Sequence, residues 1–305
     1  MFRFNFSIKT LRKLNRGGEV FVNADMSEFS TFKCGGKSSV LLVIKTLEGF
    51  IKINRYIKDK SLDYFVLGAG SNVLVSDKGY KGVVVKLAGD LARIEETGED
   101  TIECGAGVRL ASIFAYASAR GLSSLEDGAG IPATIGGAVY MNASAYNFET
   151  ANIVEYVVAY INGKFEYFDN LDCDFAYRHS VFQTNKAIIV RVGLKLPKTN
   201  KSEIMQRFFE VSRMRASAQP LDRPSAGCVF KRIDGVQVSR LLDEMGLKGL
   251  TIGKAQVSTK HANFIINLGG AKAQDIYTLI ELIKKKVEEK HNLFLDTEIK
   301  FLGEF

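Results

Sequence analysis

The chain has 305 residues, of which 46% are hydrophobic and 25% charged, and carries a formal net charge of +7. Such a length points to two or three domains, and the composition is that of a globular protein able to bury a sizeable core, which excludes a disordered or fibrous chain. No apolar run approaches the ~18 residues of a membrane helix, and residues 1–23 lack the apolar stretch of a secretory signal, so a cytoplasmic protein without membrane insertion is expected.

Residues 1–22 read as a short basic amphipathic helix. Ser39–Lys45 is a strand, and Leu47, Phe50, Ile51 and Ile57 predict a helix over Thr46–Lys60. Tyr64–Leu67, Val73–Val75, Gly82–Leu87 and Thr101–Gly105 follow as strands. Leu110, Ile113, Phe114 and Ala117 predict a helix over Arg109–Arg120. Gly121–Tyr146 reads as one long glycine-rich loop, too apolar for disorder, and loops of that length are usually functional. Ile153–Ile161 and Lys164–Phe168 form a hairpin around Asn162-Gly163, and Ala187–Leu196 is the next strand. Polar Pro197–Ser202 marks a domain boundary, with the helix Lys201–Arg215 opening the next domain. That domain holds a helix over Val236–Met245 and strands at Ala255–Ser258 and Asn263–Leu268. The long helix Ala273–His291 has Ile276, Leu279, Ile280, Ile283 and Val287 on one stripe, and a closing strand runs from Leu295 to Leu302. The last hundred residues are therefore α+β.

Sixteen of the 28 glycines lie between Gly35 and Gly137. Glycine serves where backbone takes positive φ or closely approaches something bulky, and such loops offer N–H groups to an anion such as a pyrophosphate. Gly68-Ala69-Gly70-Ser71-Asn72 is not a dinucleotide fingerprint of the Rossmann kind, because a strand rather than a helix follows it. Gly128-x-Gly130-x-x-Ala133 fits the pattern but not the context, and Glu126 and Asp127 before it would repel phosphate. Any phosphate site here is expected to run from loop to strand. On the residues alone, tight turns between short strands explain each loop separately, whereas three such loops within seventy residues favour a cofactor.

The four cysteines lack CxxC spacing and there are only three histidines, so no metal site is expected, and reduced thiols suit the cytoplasm. Basic residues are spread along the chain without an aromatic-basic motif, which argues against nucleic acid and leaves an anionic small substrate to account for the charge. Three stretches hold candidate chemistry. In the closing strand Glu298 and Lys300 share one face, either as an exposed ion pair or as part of an anion pocket. In Ser225-Ala-Gly-Cys-Val-Phe-Lys231, Cys228 follows small residues, with Arg223, Lys231 and Arg232 near in sequence. A lone cysteine is most often a small buried hydrophobe, and a reactive one needs such a cationic setting. In Ala176-Tyr-Arg-His-Ser-Val-Phe182, Arg178 offers a fork for carboxylate or phosphate, or else packs its stem on Tyr177.

Taken in order, these motifs resemble the UDP-N-acetylenolpyruvoylglucosamine reductases, from Thr31 to Gly303. Thr31-Phe-Lys-Cys-Gly-Gly36, Gly68–Asn72, Ala129–Gly137, Asn142–Tyr146, Tyr177–Ser180, Ser225–Lys231, His261–Asn263 and Glu298 carry the resemblance. It implies an α+β chain: a helical segment at residues 1–22, a two-lobed FAD-binding domain of the vanillyl-alcohol-oxidase type at residues 23–87 and 88–197, and a C-terminal α+β substrate domain at residues 198–305. FAD would lie on Gly68, Ala69, Gly70, Ser71, Asn72, Gly130, Ile131, Thr134, Gly136 and Gly137. NADPH would reduce FAD, and UDP-N-acetylglucosamine enolpyruvate would then take hydride at C3 and a proton at C2, in peptidoglycan precursor synthesis. Arg178 would hold the substrate carboxylate, Cys228 would give the proton and Glu298 would assist. Tyr177, Arg223, Lys231, Asn263 and Lys300 would contact substrate. The chain departs from the family pattern in three places: Cys228 stands for serine, Ala133 for glycine and Ser144 for glycine. It also lacks the tyrosine-bearing insertion of one subclass. A non-catalytic flavin module, or an oxidase of the same fold, is the competing expectation.

Overall fold

A computed structural model describes residues 6–305, so the first five residues of the expected N-terminal helix lie outside the description. The chain divides into two compact units, one of residues 1–22, 40–69 and 82–214, the other of residues 23–39, 70–81 and 215–305. This division differs from boundaries drawn along the sequence, for a reason visible in the packing. Phe32, Cys34 and Leu74 bury their side chains in the core formed by residues 226–299. Conversely, Ile204, Met205 and Phe208 of the helix Lys201–Ala218 pack on the core of the first unit. The helix expected to open the next domain thus belongs to the first unit over most of its length.

Among the described residues, the basic N-terminal segment forms the helix Ile8–Leu14 and then turns into the strand Glu19–Asp25. That strand begins a four-stranded sheet continued by Lys37–Ile44, Tyr80–Leu87 and Tyr64–Val66. The last two run parallel, and Thr46 caps the helix Leu47–Asp59 by accepting from the Gly49 N–H at 3.1 Å. Phe50, Ile53 and Ile57 of that helix share a core with Val40, Leu42, Val83 and Val85, alternate residues whose side chains fall on one face of the sheet.

A second, five-stranded sheet has the order Lys164–Asp169, Val154–Ile161, Ile188–Lys195, Thr101–Gly105, Ile94–Glu96, with antiparallel pairing throughout. Its hairpin turns on Asn162 and Gly163 at φ of 54° and 93°, the positive pair a two-residue turn requires.

The stretch expected to be one long loop contains the helix Ile135–Met141, N-capped by Thr134, and a strand pair, Ser144–Ala145 with Phe148–Glu149. Two adjacent glycines, poor helix formers, hid the helix. They are there because a Cβ at Gly136 would come within 2.8 Å of the Ala106 Cβ, while Ile135, Ala138 and Val139 are buried. The second glycine loop therefore runs into a helix, not a strand.

The second unit packs the helix Ala273–His291 on the small sheet Thr251–Ile252, Ala255–Val257, Ile265–Asn267. Asp77 accepts from the N–H groups of Ala273 and Gln274, both at 2.9 Å, capping that helix from almost two hundred residues away in sequence. The closing segment is a regular strand only over Lys300–Leu302, parallel to Val73–Val75. Just before it, Thr297 bridges antiparallel to Phe230, so the segment changes partners halfway. Among the described residues no helix is long and apolar enough to cross a membrane, and no group of three or more metal-ligating side chains forms.

Candidate active site

Within the first unit the two glycine loops meet. A Cβ on Gly68 would sit 2.7 Å from the Thr134 Oγ1, with the Gly137 Cα 3.9 Å away. The Gly68 carbonyl is held by the Lys86 Nζ, and Thr134 bridges to Arg109, which precedes the helix Leu110–Ser118. Gly130 is exposed and Ile131 half-buried on the neighbouring core. Ala133 keeps a negative φ and bonds normally to Leu110, so the glycine it replaces is not needed for backbone conformation. Asp127, expected to repel phosphate, is neutralised instead. Arg207 grips it through two bonds of 2.6 and 2.7 Å. Burial alone would push its carboxyl up, but the Arg207 fork holds it below the usual range.

Beyond the loop's midpoint, Gly70 has φ of +72°, and a Cβ there would strike the Phe29 carbonyl. Its own carbonyl accepts from the N–H and hydroxyl of Thr31 at 3.0 and 3.3 Å. Ser71 is half-buried beside it. Asn72 donates its side-chain amide to the Glu298 carbonyl at 3.1 Å and accepts the Lys300 N–H at 2.9 Å. An amide expected to face the cofactor is thus a brace for the segment that carries Glu298 and Lys300.

That segment adjoins Cys228. The Glu298 N–H donates to the Val229 carbonyl at 2.7 Å, and Lys231 donates to the Asp296 carbonyl at 2.9 Å. On the other side Cys228 bridges Phe264. Asn263, expected to touch substrate, spends its amide on the backbone: it accepts from the Phe230 N–H and donates to the Phe230 carbonyl, both at 2.9 Å. Its place is under the Cys228 segment. Cys228 is the one half-exposed cysteine of the four. The other three are buried, and burial pushes the thiols of Cys34, Cys104 and Cys173 up to about 12, where they are inert. Burial lowers the Lys300 ammonium from its ordinary value, with Lys231 adding repulsion. The two ammonium groups thus feel each other, and that of Lys231 also lies 3.9 Å from an Asp296 carboxylate oxygen. Arg223 lies apart, exposed and near Asp222 at 3.8 Å.

In the first unit, Arg178 sits at a φ of +54°, a conformation costly for a long side chain and concentrated at functional positions. Its fork meets Ser144: NH1 lies 2.7 Å from the Oγ and NH2 3.4 Å from the carbonyl. The guanidinium also stands 5.2 Å from the Tyr177 ring. Three polar side chains hold this turn: Asn142 and Ser180, which lie in motifs singled out above, and Gln183, which the sequence did not mark. Asn142, 1% exposed, donates to the Ala176 carbonyl at 3.0 Å and to Glu149 at 2.7 Å. Gln183 donates to the carbonyls of Arg178 and Tyr140, each at 2.9 Å, and the Ser180 hydroxyl also donates to Tyr140. Lys86 escaped notice too. Its signal was a lone cation closing the apolar run Val83-Val84-Val85.

Residues 38–164 match the FAD binding domain family, and residues 219–302 match the C-terminal domain of UDP-N-acetylenolpyruvoylglucosamine reductase. The reductase of that name from Caldanaerobacter subterraneus is 39% identical over 97% of this chain and 98% of its own. The one from Syntrophomonas wolfei is 40% identical over 93% and 95%. The chain belongs to the UDP-N-acetylenolpyruvoylglucosamine reductase family. The crystal structure of the Thermus caldophilus reductase agrees with the fold, at a TM-score of 0.81 and 36% identity over 94% of this chain and 99% of that one. The α+β class, with an FAD-binding domain ahead of a C-terminal reductase domain, follows for the family member described here.

Proposed function

We infer that this reductase converts UDP-N-acetylglucosamine enolpyruvate to UDP-N-acetylmuramate in peptidoglycan precursor synthesis, as an FAD-dependent oxidoreductase with NADPH as reductant. One observation carries the reading: a single chain joins an FAD binding domain to the reductase C-terminal domain and matches reductases over nearly its full length. The four free cysteines suit an enzyme of the cytoplasm.

The glycine loops fit FAD. Carbonyl oxygens repel phosphate, and those of Gly68, Gly70 and Asn72 are each tied to a protein donor. Gly68, Ala69, Gly70, Ser71, Asn72, Gly130, Ile131, Thr134, Gly136 and Gly137 would hold the dinucleotide. When bound, FAD supplies hydride transfer from the nicotinamide to the enolpyruvyl C3.

The remaining work falls to side chains. Addition at C3 leaves negative charge at C2 that spreads into the carboxylate, and groups that meet charge developing in the transition state accelerate the step. Arg178 meets the carboxylate with its fork, with Tyr177 beside it. Cys228 delivers the proton to C2. A thiol is intrinsically more acidic than the serine hydroxyl of the family pattern, so the exchange preserves the role. Glu298 hydrogen-bonds the reacting group, Lys231 and Lys300 offset the substrate's negative charge, and Arg223 adds an outer cation. Asn263 braces the backbone of Phe230, two residues beyond Cys228, and would stand beside the substrate from there.

The test is NADPH oxidation with and without the enolpyruvyl sugar nucleotide. Purified protein should be yellow, bleach anaerobically with NADPH and recolour when the sugar nucleotide is added. Bleaching without recolouring would point to another flavin oxidoreductase, and colour that NADPH leaves untouched to an oxidase or an inert flavin module.

A further inference from the structure

Lys86 is next to last in the strand Tyr80–Leu87, after three buried valines. Lys86 is itself half-buried, and an ammonium drawn partly out of water costs free energy unless an opposite charge or hydrogen-bond acceptors meet it. Among the described residues no carboxylate is one of the groups that shift it. The charge that does is a second cation, Arg109. Of the three N–H groups on Lys86, the Gly68 carbonyl takes one. Two cations brought together in a half-buried place repel each other, and the arrangement is stable at low cost only when an anion joins them. The place is also where the two glycine loops converge: Gly68 abuts Thr134 and Gly137, and Thr134 bridges Arg109.

We propose that Lys86, seconded by Arg109, is the charge-neutralising element of the FAD diphosphate site, its ammonium held against the Gly68 turn so that phosphate oxygens meet it on binding. The proposal rests on the FAD reading above. Burial, then Arg109, push the unliganded ammonium down to about 8. An anion raises that value, so above it the free protein carries a neutral amine and FAD binding takes up a proton. FAD affinity therefore falls as pH rises past the free value. The neighbouring strands carry two other titratable groups, Lys37 on Lys37–Ile44 and Tyr64, which burial keeps above its ordinary value and so neutral over this range.

The experiment strips flavin from the full-length protein and titrates the apoprotein with FAD, followed by flavin fluorescence at about pH 7 and about pH 9.5. Calorimetry near pH 9 in two buffers of different ionisation enthalpy counts protons. In the wild type, FAD should bind about tenfold more weakly at the higher pH, with a substantial fraction of one proton taken up per FAD. Lys86→Arg should flatten the pH dependence and abolish the uptake. Lys86→Met should do both and weaken FAD roughly tenfold or more at neutral pH, the scale of a lost charge-assisted bond. A lysine that merely pins the Gly68 carbonyl predicts no uptake, because a neutral amine still donates. FAD binding without proton uptake, or an uptake that persists in Lys86→Arg, overturns this proposal alone. Should the methionine variant misfold, the arginine variant decides. An apoprotein that binds no FAD overturns the FAD reading as well.

Discussion

The turn that presents Arg178 and the segment that presents Cys228 are built in opposite ways. Arg178 sits in a positive-φ turn held by side chains: Asn142 on Ala176, Gln183 on Arg178 itself, Ser144 on the guanidinium. Cys228 sits in an extended segment held chiefly by backbone, with Val229 bonded to Asn263 on one side and to Glu298 on the other. A backbone ladder tolerates a change of side chain because its bonds belong to every residue type. A turn held by particular amides does not. Substitutions near Cys228 should therefore act through chemistry, and those around Arg178 through geometry.

The largest expected effect tests the chemical half of that contrast. Cys228→Ala leaves the ladder intact and removes the transferable proton. It should bind FAD and accept electrons from NADPH normally, yet lose roughly two or more orders of magnitude in turnover of the enolpyruvyl substrate, the scale of general-acid catalysis. Cys228→Ser should retain substantial activity. Stopped-flow measurement of the two half-reactions separates them, and normal substrate turnover in the alanine variant would send the proton's source elsewhere, with Glu298 or water next in line.

Next comes Arg178→Lys, which keeps the charge but loses the planar fork. We expect the substrate half-reaction to fall by roughly ten- to a hundredfold, in line with a lost charge-assisted bond, with flavin reduction much less affected. Equal damage to both halves would make Arg178 a part of the fold.

Asn142→Ala sharpens the geometric half. It removes three hydrogen bonds and puts alanine at a φ of +41°, where asparagine is tolerated. Destabilisation of about 2–4 kcal/mol in chemical denaturation should follow, together with a raised KM for the enolpyruvyl substrate. An unchanged KM in the folded variant would mean that the turn does not need this anchor.

Ser144→Gly is the mildest. It restores the residue of the family pattern and removes a hydroxyl 2.7 Å from the guanidinium. A loss of about 1 kcal/mol of positioning, a few-fold in kcat/KM for the sugar nucleotide, is expected. No change at all would show that the remaining contacts of Arg178 suffice.

The same contrast explains what could be read without coordinates. The helix Ala273–His291 was legible to the residue because its apolar stripe, Ile276 to Val287, repeats at helical spacing over about three turns. The hairpin at Asn162-Gly163 was legible because two positive-φ residues leave few alternatives. The helix Ile135–Met141 was not, since its reason lies in the close approach of Gly136 to Ala106, a contact between distant residues. Asn263 and Asn72 read as ligand contacts because polar residues in motifs usually are. What the sequence did not show is that both also brace backbone, one at Phe230 and one at Glu298.

The sequence by itself determined the order of the motifs, the residue types able to do the chemistry, and the elements set by short-range periodicity, because all of these are local properties of the chain. Only the tertiary structure decided which cysteine is accessible and which are sealed, that Asp127 is neutralised by Arg207, and that residues 23–39 and 70–81 pack with the C-terminal hundred. Those outcomes depend on desolvation and on partners eighty to two hundred residues away. Burial of a thiol or pairing of a carboxylate is a property of the surroundings, and the surroundings exist only once the chain has folded.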